Sequence, residues 1–294
     1  MGFLLDQDSQ IHMSFENGNP YIIDPIEKFK DFKFVSWEKE IYPKFKNGFK
    51  KPEIDFFAKL IIENNFRNII DFGVGGGSDL SAIWGFLKEK KHNLESLEAN
   101  EIHDEFITKA SELFKKKRQN VLIHKANWID LPEAKPEYTK KFDFGFLTGN
   151  SLTYIGGASR EYTKRAQQSI LGKFSKLIKK DGFLFIDSRN YDYIYSLRHF
   201  TKENIFEKFK FNKTVYYHGN VVVFPVYISD SIVVFHYYDT ENKKWSEIAD
   251  LYPLFQKDTL NILGKSFTVE KIYHDFEEKN KTKSQFVQYL LRRK

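Results

Sequence analysis

The strongest local constraint on this chain is a cluster of glycines set between an apolar run and an amphipathic one. Asn68-Ile-Ile-Asp-Phe72 reads as a short buried strand, Asp71-Phe-Gly-Val-Gly-Gly-Gly77 as the turn that leaves it, and Leu80–Lys90 as a helix. Glycines in such a turn reach positive φ and let a ligand approach the backbone closely. Ser78 and Asp79 suit the cap of the helix that follows. An acidic residue at the expected end of the next strand, Glu98, can accept both ribose hydroxyls of a nucleoside. No Gly-Lys-Ser/Thr follows the turn, and its spacing departs from G-x-G-x-x-G. A nucleoside-containing ligand without a pyrophosphate is therefore expected. The bland readings are a βα turn without a ligand and a solvated strand end.

The alternation continues on both sides of this unit. A helix is expected across 52–65, where Ile54, Phe57, Leu60 and Ile61 fall on one face. Strands are expected at 94–98, 121–124, 142–148 and 182–187, and helices at 104–117 and 160–180. Strands separated by helical patterns indicate βαβ units and a mostly parallel sheet. After about residue 190 the pattern changes. The runs 214–228 and 231–239 are β-branched and aromatic, and read as an antiparallel excursion inserted into the α/β unit. Near the end, 258–263 reads as a helix and 267–274 with 284–292 as a strand pair. The expected organisation is an aromatic-rich N-terminal segment over the site (1–50), an α/β core (51–195), an antiparallel lid (196–254) and a closing helix and strand pair (255–294).

Composition narrows the function classes. Of 294 residues, 41% are hydrophobic and 17% aromatic, which excludes a disordered chain. No run of about 18 uncharged apolar residues occurs, so no membrane partner is expected. The absence of cysteine excludes disulfides, thiolate nucleophiles and Cys-based zinc sites. The eight histidines are dispersed without ligand spacing, so no metal is expected. The N-terminus lacks a basic stretch followed by a long apolar one, and a cytoplasmic protein is expected. Net charge is +6 and the isoelectric point about 9.0, but the basic residues are scattered, with short clusters such as Lys115-Lys116-Lys117-Arg118. Nucleic acid is not the expected partner.

The D-x-G-x-G-x-G turn and the acidic second strand resemble a class I S-adenosylmethionine-dependent methyltransferase. Ala126-Asn127-Trp128, Gly149-Asn150-Ser151 and above all Ile186-Asp-Ser-Arg-Asn-Tyr-Asp-Tyr-Ile194 narrow the likeness to the glycine N-methyltransferase family, which includes the glycine/sarcosine and dimethylglycine enzymes. The likeness runs over roughly 35–294. It implies an α/β fold: a Rossmann-like, seven-stranded, mostly parallel methyltransferase sheet with an inserted antiparallel β subdomain. It also implies methyl transfer from S-adenosylmethionine to the nitrogen of a small amino acid.

Carried onto this chain, the resemblance gives Asp71, Gly73, Gly75 and Gly77 to the cofactor turn and Glu98 to the ribose. Asn127 and Trp128 would lie by the adenine, and Leu147 would offer backbone near the sulfonium. Arg189 would bind the substrate carboxylate. Tyr42 matches a tyrosine over the transferring methyl, Tyr216 and Tyr252 match tyrosines near the substrate, and Asn150 sits at a strand end where ligands bind in open α/β sheets. Each has a bland counterpart: Trp128 as a core aromatic, Asn127 and Asn150 as turn-formers, the tyrosines as packing, and Arg189 as a surface charge. Arginine is scarce here, and its planar fork grips a carboxylate in a way lysine does not.

The family's N-terminal arginine for the cofactor carboxylate has no counterpart, since only lysines stand at 44, 46, 50 and 51. Leu-Thr-Tyr follows Gly-Asn-Ser where the family often has an aromatic and His, and the insert diverges. A methyltransferase for another small amine or for RNA, or a non-catalytic S-adenosylmethionine-binding protein, stays open at this stage. So does a homo-oligomer.

Overall fold

The computed structural model of the chain describes residues 26–41, 51–157, 159–209, 221–278 and 282–294. In chain order the strands are β1 (Lys33–Phe34), β2 (Asn68–Asp71), β3 (Ser96–Glu101), β4 (Leu122–Lys125), β5 (Phe142–Leu147), β6 (Ile178–Arg189), β7 (Val221–Ile228), β8 (Val233–Asp239), β9 (Lys244–Leu251), β10 (Phe267–His274) and β11 (Phe286–Arg293). The α-helices are α1 (Lys51–Glu63), α2 (Ser78–Glu89), α3 (Asp104–Lys116), α4 (Leu131–Ala134), α5 (Arg160–Leu177), α6 (Tyr191–Ser196), α7 (Lys202–Lys208) and α8 (Gln256–Leu263).

Seven strands form one sheet in the order β10-β11-β6-β5-β2-β3-β4. β2 to β6 pair in parallel; β11 runs antiparallel to β6, and β10 antiparallel to β11. The chain builds outward from β2 through β3 to β4, then returns to the other side of β2 for β5 and β6. The order therefore reverses between β2 and β5. In open α/β sheets, ligands bind at such a switch, outside the carboxyl ends of the strands.

The central strands are apolar because neighbours cover them. Ile69, Ile70, Phe144, Phe146, Leu184 and Phe185 are fully buried. Phe72 stacks on Phe174 of α5 at 4.0 Å, and Phe66 stacks on Phe144 at 5.1 Å. Each buried phenyl stabilises the fold by about 1.5–3 kcal/mol.

The second sheet has the order β1-β9-β8-β7. β7, β8 and β9 are antiparallel, and β1 adds to β9 in parallel. β8 is buried along its whole length, since its side chains are covered on both faces. His236 and Tyr238 face Phe224, Trp245 and the N-terminal Phe29, where Tyr238 stacks at 4.0 Å. Phe235 and Tyr237 alternate with them and face the end of β6.

Four local expectations are corrected. The second strand of the core ends at Glu101 rather than Glu98. It continues because its last polar side chains find partners: Asn100 donates to the carbonyls of His124 and Ala126, and Glu101 accepts three backbone N–H groups. The helix cap falls on Gly77, in the left-handed region at φ 80°, so Ser78 and Asp79 lie inside the first turn. α5 stops at Leu177 and β6 starts at Ile178, which pairs with Phe142 before an irregularity in the register. The insert holds a third strand, β9, whose mixed sequence gave no signal. Among the described residues, no helix is long and apolar enough to cross a membrane.

Candidate active site

The carboxyl edge of the large sheet gathers most of the expected residues. Asp71 ends β2 buried, and its Oδ1 accepts the N–H of Gly73 at 3.0 Å. Gly75 turns with φ 51°, and its N–H donates to Glu101 Oε2 at 3.0 Å. Gly77 permits close helix packing: a Cβ there would lie 2.9 Å from Phe114 and 3.0 Å from Ala110 of α3. Gly73 faces other site residues: a Cβ on it would meet Leu147 at 3.4 Å, Trp128 at 3.8 Å and Ser151 at 3.9 Å. The Trp128 indole N–H donates to the Phe72 carbonyl, and its ring meets Phe174 edge-on. Asn127 accepts the N–H of Ile129 at 3.1 Å and so shapes the turn that presents Trp128.

Glu98 is elsewhere. It sits in the middle of β3, paired with Ile70 and Leu122. Its carboxylate is held by His124 Nε2 at 2.9 Å and by the Lys141 ammonium. Lys141 precedes β5, so this cluster looks toward the opposite edge of the sheet. Burial alone would raise the acid's pKa. Hydrogen bonds from His124, Lys141 and Tyr138 overcome that and hold it at about 2. Glu101 is the carboxylate at the carboxyl edge. One of its oxygens accepts Gly75; the other accepts Ile102 at 2.8 Å and His103 at 3.1 Å. The sequence offered a signal for it: Asp104 opens the next helix, so Glu101 is the last acid before the strand-to-helix junction.

Next to the glycine turn stands a buried polar lattice. Asn150 follows β5 in the left-handed region at φ 64°, a conformation asparagine tolerates. Its N–H donates to Asp187 Oδ1 at 2.9 Å. Its Oδ1 accepts the Arg189 N–H at 2.9 Å, and its Nδ2 donates to the Tyr191 hydroxyl at 3.0 Å. Tyr191 is fully buried, and burial pushes its phenol up to about 12. It therefore keeps its proton at neutral pH and donates onward to Thr153 Oγ1 at 3.4 Å.

Arg189, the last residue of β6, is 3% exposed. Its Nη2 donates to the Tyr237 hydroxyl at 3.0 Å. The guanidinium lies over the rings of Phe235 at 4.4 Å and Phe286 at 5.3 Å, contacts that favour a cation. Tyr237 was not singled out from sequence; the period-two run Phe235, Tyr237, Asp239 was its available signal. Tyr252 is buried, and its N–H donates to the Thr153 carbonyl at 2.8 Å. Its ring lies against Gly156, where a Cβ would stand 2.0 Å away.

Tyr42 and Tyr216 lie outside the described residues, as do Lys44, Lys46 and Lys50. Lys51 is exposed and pairs with Asp55 at 2.9 Å. Among the described residues, no group of three or more His, Asp or Glu stands close enough to hold a metal ion.

Comparison with known proteins agrees with this geometry. The chain is 26% identical over 263 residues to a glycine/sarcosine N-methyltransferase of Aphanothece halophytica, covering 88% of this chain and 84% of that protein. It is 30% identical over 141 residues to a glycine/sarcosine/dimethylglycine N-methyltransferase of Actinopolyspora halophila, covering 47% of this chain and 22% of that longer protein. Among solved structures, an S-adenosylmethionine-dependent methyltransferase from Clostridium acetobutylicum ATCC 824 superposes with a TM-score of 0.60 at 15% identity, over 87% of this chain and 95% of that one. The CcbJ methyltransferase from Streptomyces caelestis does so at 0.54 and 14%, over 82% and 90%. No family model matches the chain.

Strand order, glycine turn and relatives together define a class I S-adenosylmethionine-dependent methyltransferase. Within that class the chain resembles the glycine/sarcosine N-methyltransferases.

Proposed function

We propose that the chain methylates the nitrogen of a small amino acid such as glycine, sarcosine or dimethylglycine. The observation that carries this reading is the buried Arg189 guanidinium at the carboxyl edge, beside the glycine turn's side of the sheet. A carboxylate is the partner such a planar fork takes in two parallel hydrogen bonds. The names of the two curated relatives point to the same substrate class.

The residues present fit the cofactor. Leu147, Trp128 and Ser151 all lie within 4 Å of where a Cβ on Gly73 would stand, so a ligand against the backbone there would touch all three. Glu101 spends three acceptor positions on backbone N–H groups, and a carboxylate has about four. It therefore retains capacity for a ribose hydroxyl, a role we assign to Glu101 in place of Glu98. Trp128 would border the adenine, and Leu147 the methionine part.

S-adenosylmethionine, when bound, supplies a methyl group already activated on sulfur. The protein's task is then alignment, and held geometry can lower such a barrier by about 7–11 kcal/mol in favourable cases. Arg189 would fix the carboxylate end of the amino acid. Tyr237 steers the guanidinium from the lid side. Asn150 has its amide engaged by Arg189 and Tyr191, so it acts by positioning Arg189 rather than by touching the amine. Tyr252 closes the edge above Thr153.

The test is a methyl-transfer assay with glycine, sarcosine, dimethylglycine, simple amines and RNA, read as S-adenosylhomocysteine release. Turnover with an amino acid and not with its decarboxylated amine supports the reading. Equal turnover with the amine removes the carboxylate clamp.

A further inference from the structure

A second concave site lies away from the carboxyl edge, between the start of α1, the exposed face of α2 and the end of α3. Its volume is about 910 Å³, within the range of small-molecule sites. Two of its lining residues, Ser81 and Gln119, are 1% and 9% exposed. Gln119 Nε2 donates to the Ser81 carbonyl at 3.0 Å. Gln119 Oε1 and Ser81 Oγ, both buried, have no hydrogen-bond partner among the described residues. A buried acceptor left in this way calls for an N–H or O–H donor from whatever enters the groove.

Gly85 lines the same groove from the interior of α2, where glycine destabilises a helix relative to alanine. A Cβ at Gly85 would meet nothing within 4 Å among the described residues, so their packing does not demand the glycine. Its effect is to keep the groove open.

The rim is basic. Lys117 belongs to the run Lys115-Lys116-Lys117-Arg118, which the methyl-transfer chemistry leaves unused. Lys90 faces it from the end of α2, with its ammonium 5.4 Å from the Phe86 ring centroid. Of the two acids present, Asp55 is engaged by Lys51 at 2.9 Å, and Glu89 remains at the rim.

We propose that this groove binds a small organic anion that also carries hydroxyl or amide donors, a molecule of sugar-phosphate size. The anion would lie between Lys90 and Lys117, and its donors would reach Gln119 Oε1 and Ser81 Oγ.

Isothermal titration of the full chain with glucose 6-phosphate and with gluconate tests this and separates a phosphate from a carboxylate source; sulfate serves as an anion without donors. At least one of the two polyol anions is expected to bind one to one, with a Kd below about 1 mM and at least about tenfold tighter than sulfate. Gly85→Leu, which fills the groove with a good helix former, should weaken that binding at least about tenfold, and so should Lys117→Glu on the exposed rim. Both variants should bind S-adenosylhomocysteine as the parent does, which reports an intact fold. Absence of binding by both polyol anions, affinity no better than sulfate, or indifference to both substitutions would each overturn the proposal.

Discussion

At the scale of single residues, the surroundings of two carboxylates and one guanidinium separate the roles proposed for them. Arg189 is buried between rings of two sheets, so its removal deletes a fixed charge rather than a solvated one. Arg189→Ala should lower kcat/KM for the amino acid by about 2–4 kcal/mol, roughly 30- to 1000-fold, mostly through KM. Titration with S-adenosylhomocysteine should be little changed; if cofactor affinity collapses with the substrate's, the residue is structural. Glu101 and Glu98 make a matched pair three residues apart on one strand. Glu101→Gln removes a charged acceptor beside the glycine turn and should weaken cofactor affinity by about 1.5–3 kcal/mol. Glu98→Gln should leave that affinity within about twofold, because its carboxylate faces Lys141 and His124 instead. The reverse ranking would return the ribose role to Glu98.

At the scale of elements, α2 holds two glycine environments of opposite sense. Gly77 caps the helix at φ 80° and packs on α3, whereas Gly85 is exposed and open on its Cβ side. Gly77→Ala should destabilise the protein by about 2–4 kcal/mol through backbone strain and overpacking. Gly85→Ala should stabilise it by about 0.5–1 kcal/mol. Thermal melts of the two variants, moving in opposite directions, are the check. Much of this architecture was legible in the chain. The glycine turn, the strand–helix alternation and the Arg189 segment each carry a local signature. What was not legible depends on distant partners. The end of β3 could not be read, because Asn100 and Glu101 are polar yet buried, and part of what satisfies them comes from β4, the residue after it and the glycine turn. β9 carries no local strand signature of its own, and it becomes a strand by pairing with β8 and β1. The start of β6 hid behind Lys179 and Lys180, which continue the polar face of α5 in sequence but bulge from the strand in space. Tyr237 gains its meaning from Arg189, which lies on another strand.

At the scale of the whole molecule, two sheets share one seam at the carboxyl edge, while a buried ion cluster braces the large sheet on its far side. That cluster makes stability depend on acidity. Glu98 titrates at about 2 in the folded chain against an ordinary value of 4.5. A folded-state pKa below the unfolded one means that protonation favours unfolding. The cluster's contribution is therefore complete above about pH 5, and it fades as the pH falls from about 4.5 toward 2. A shift of this size corresponds to about 3 kcal/mol at neutral pH. Urea unfolding of the parent and of Glu98→Gln should differ by about that amount at pH 7, and the gap should narrow at pH 4 and again at pH 3. Neutral glutamine keeps the shape of the side chain but not its charge, so the shrinking gap isolates the ionisation from the packing. A gap that stays constant across this range would mean that the carboxylate's partners hold it no more tightly in the fold than water does in the unfolded chain.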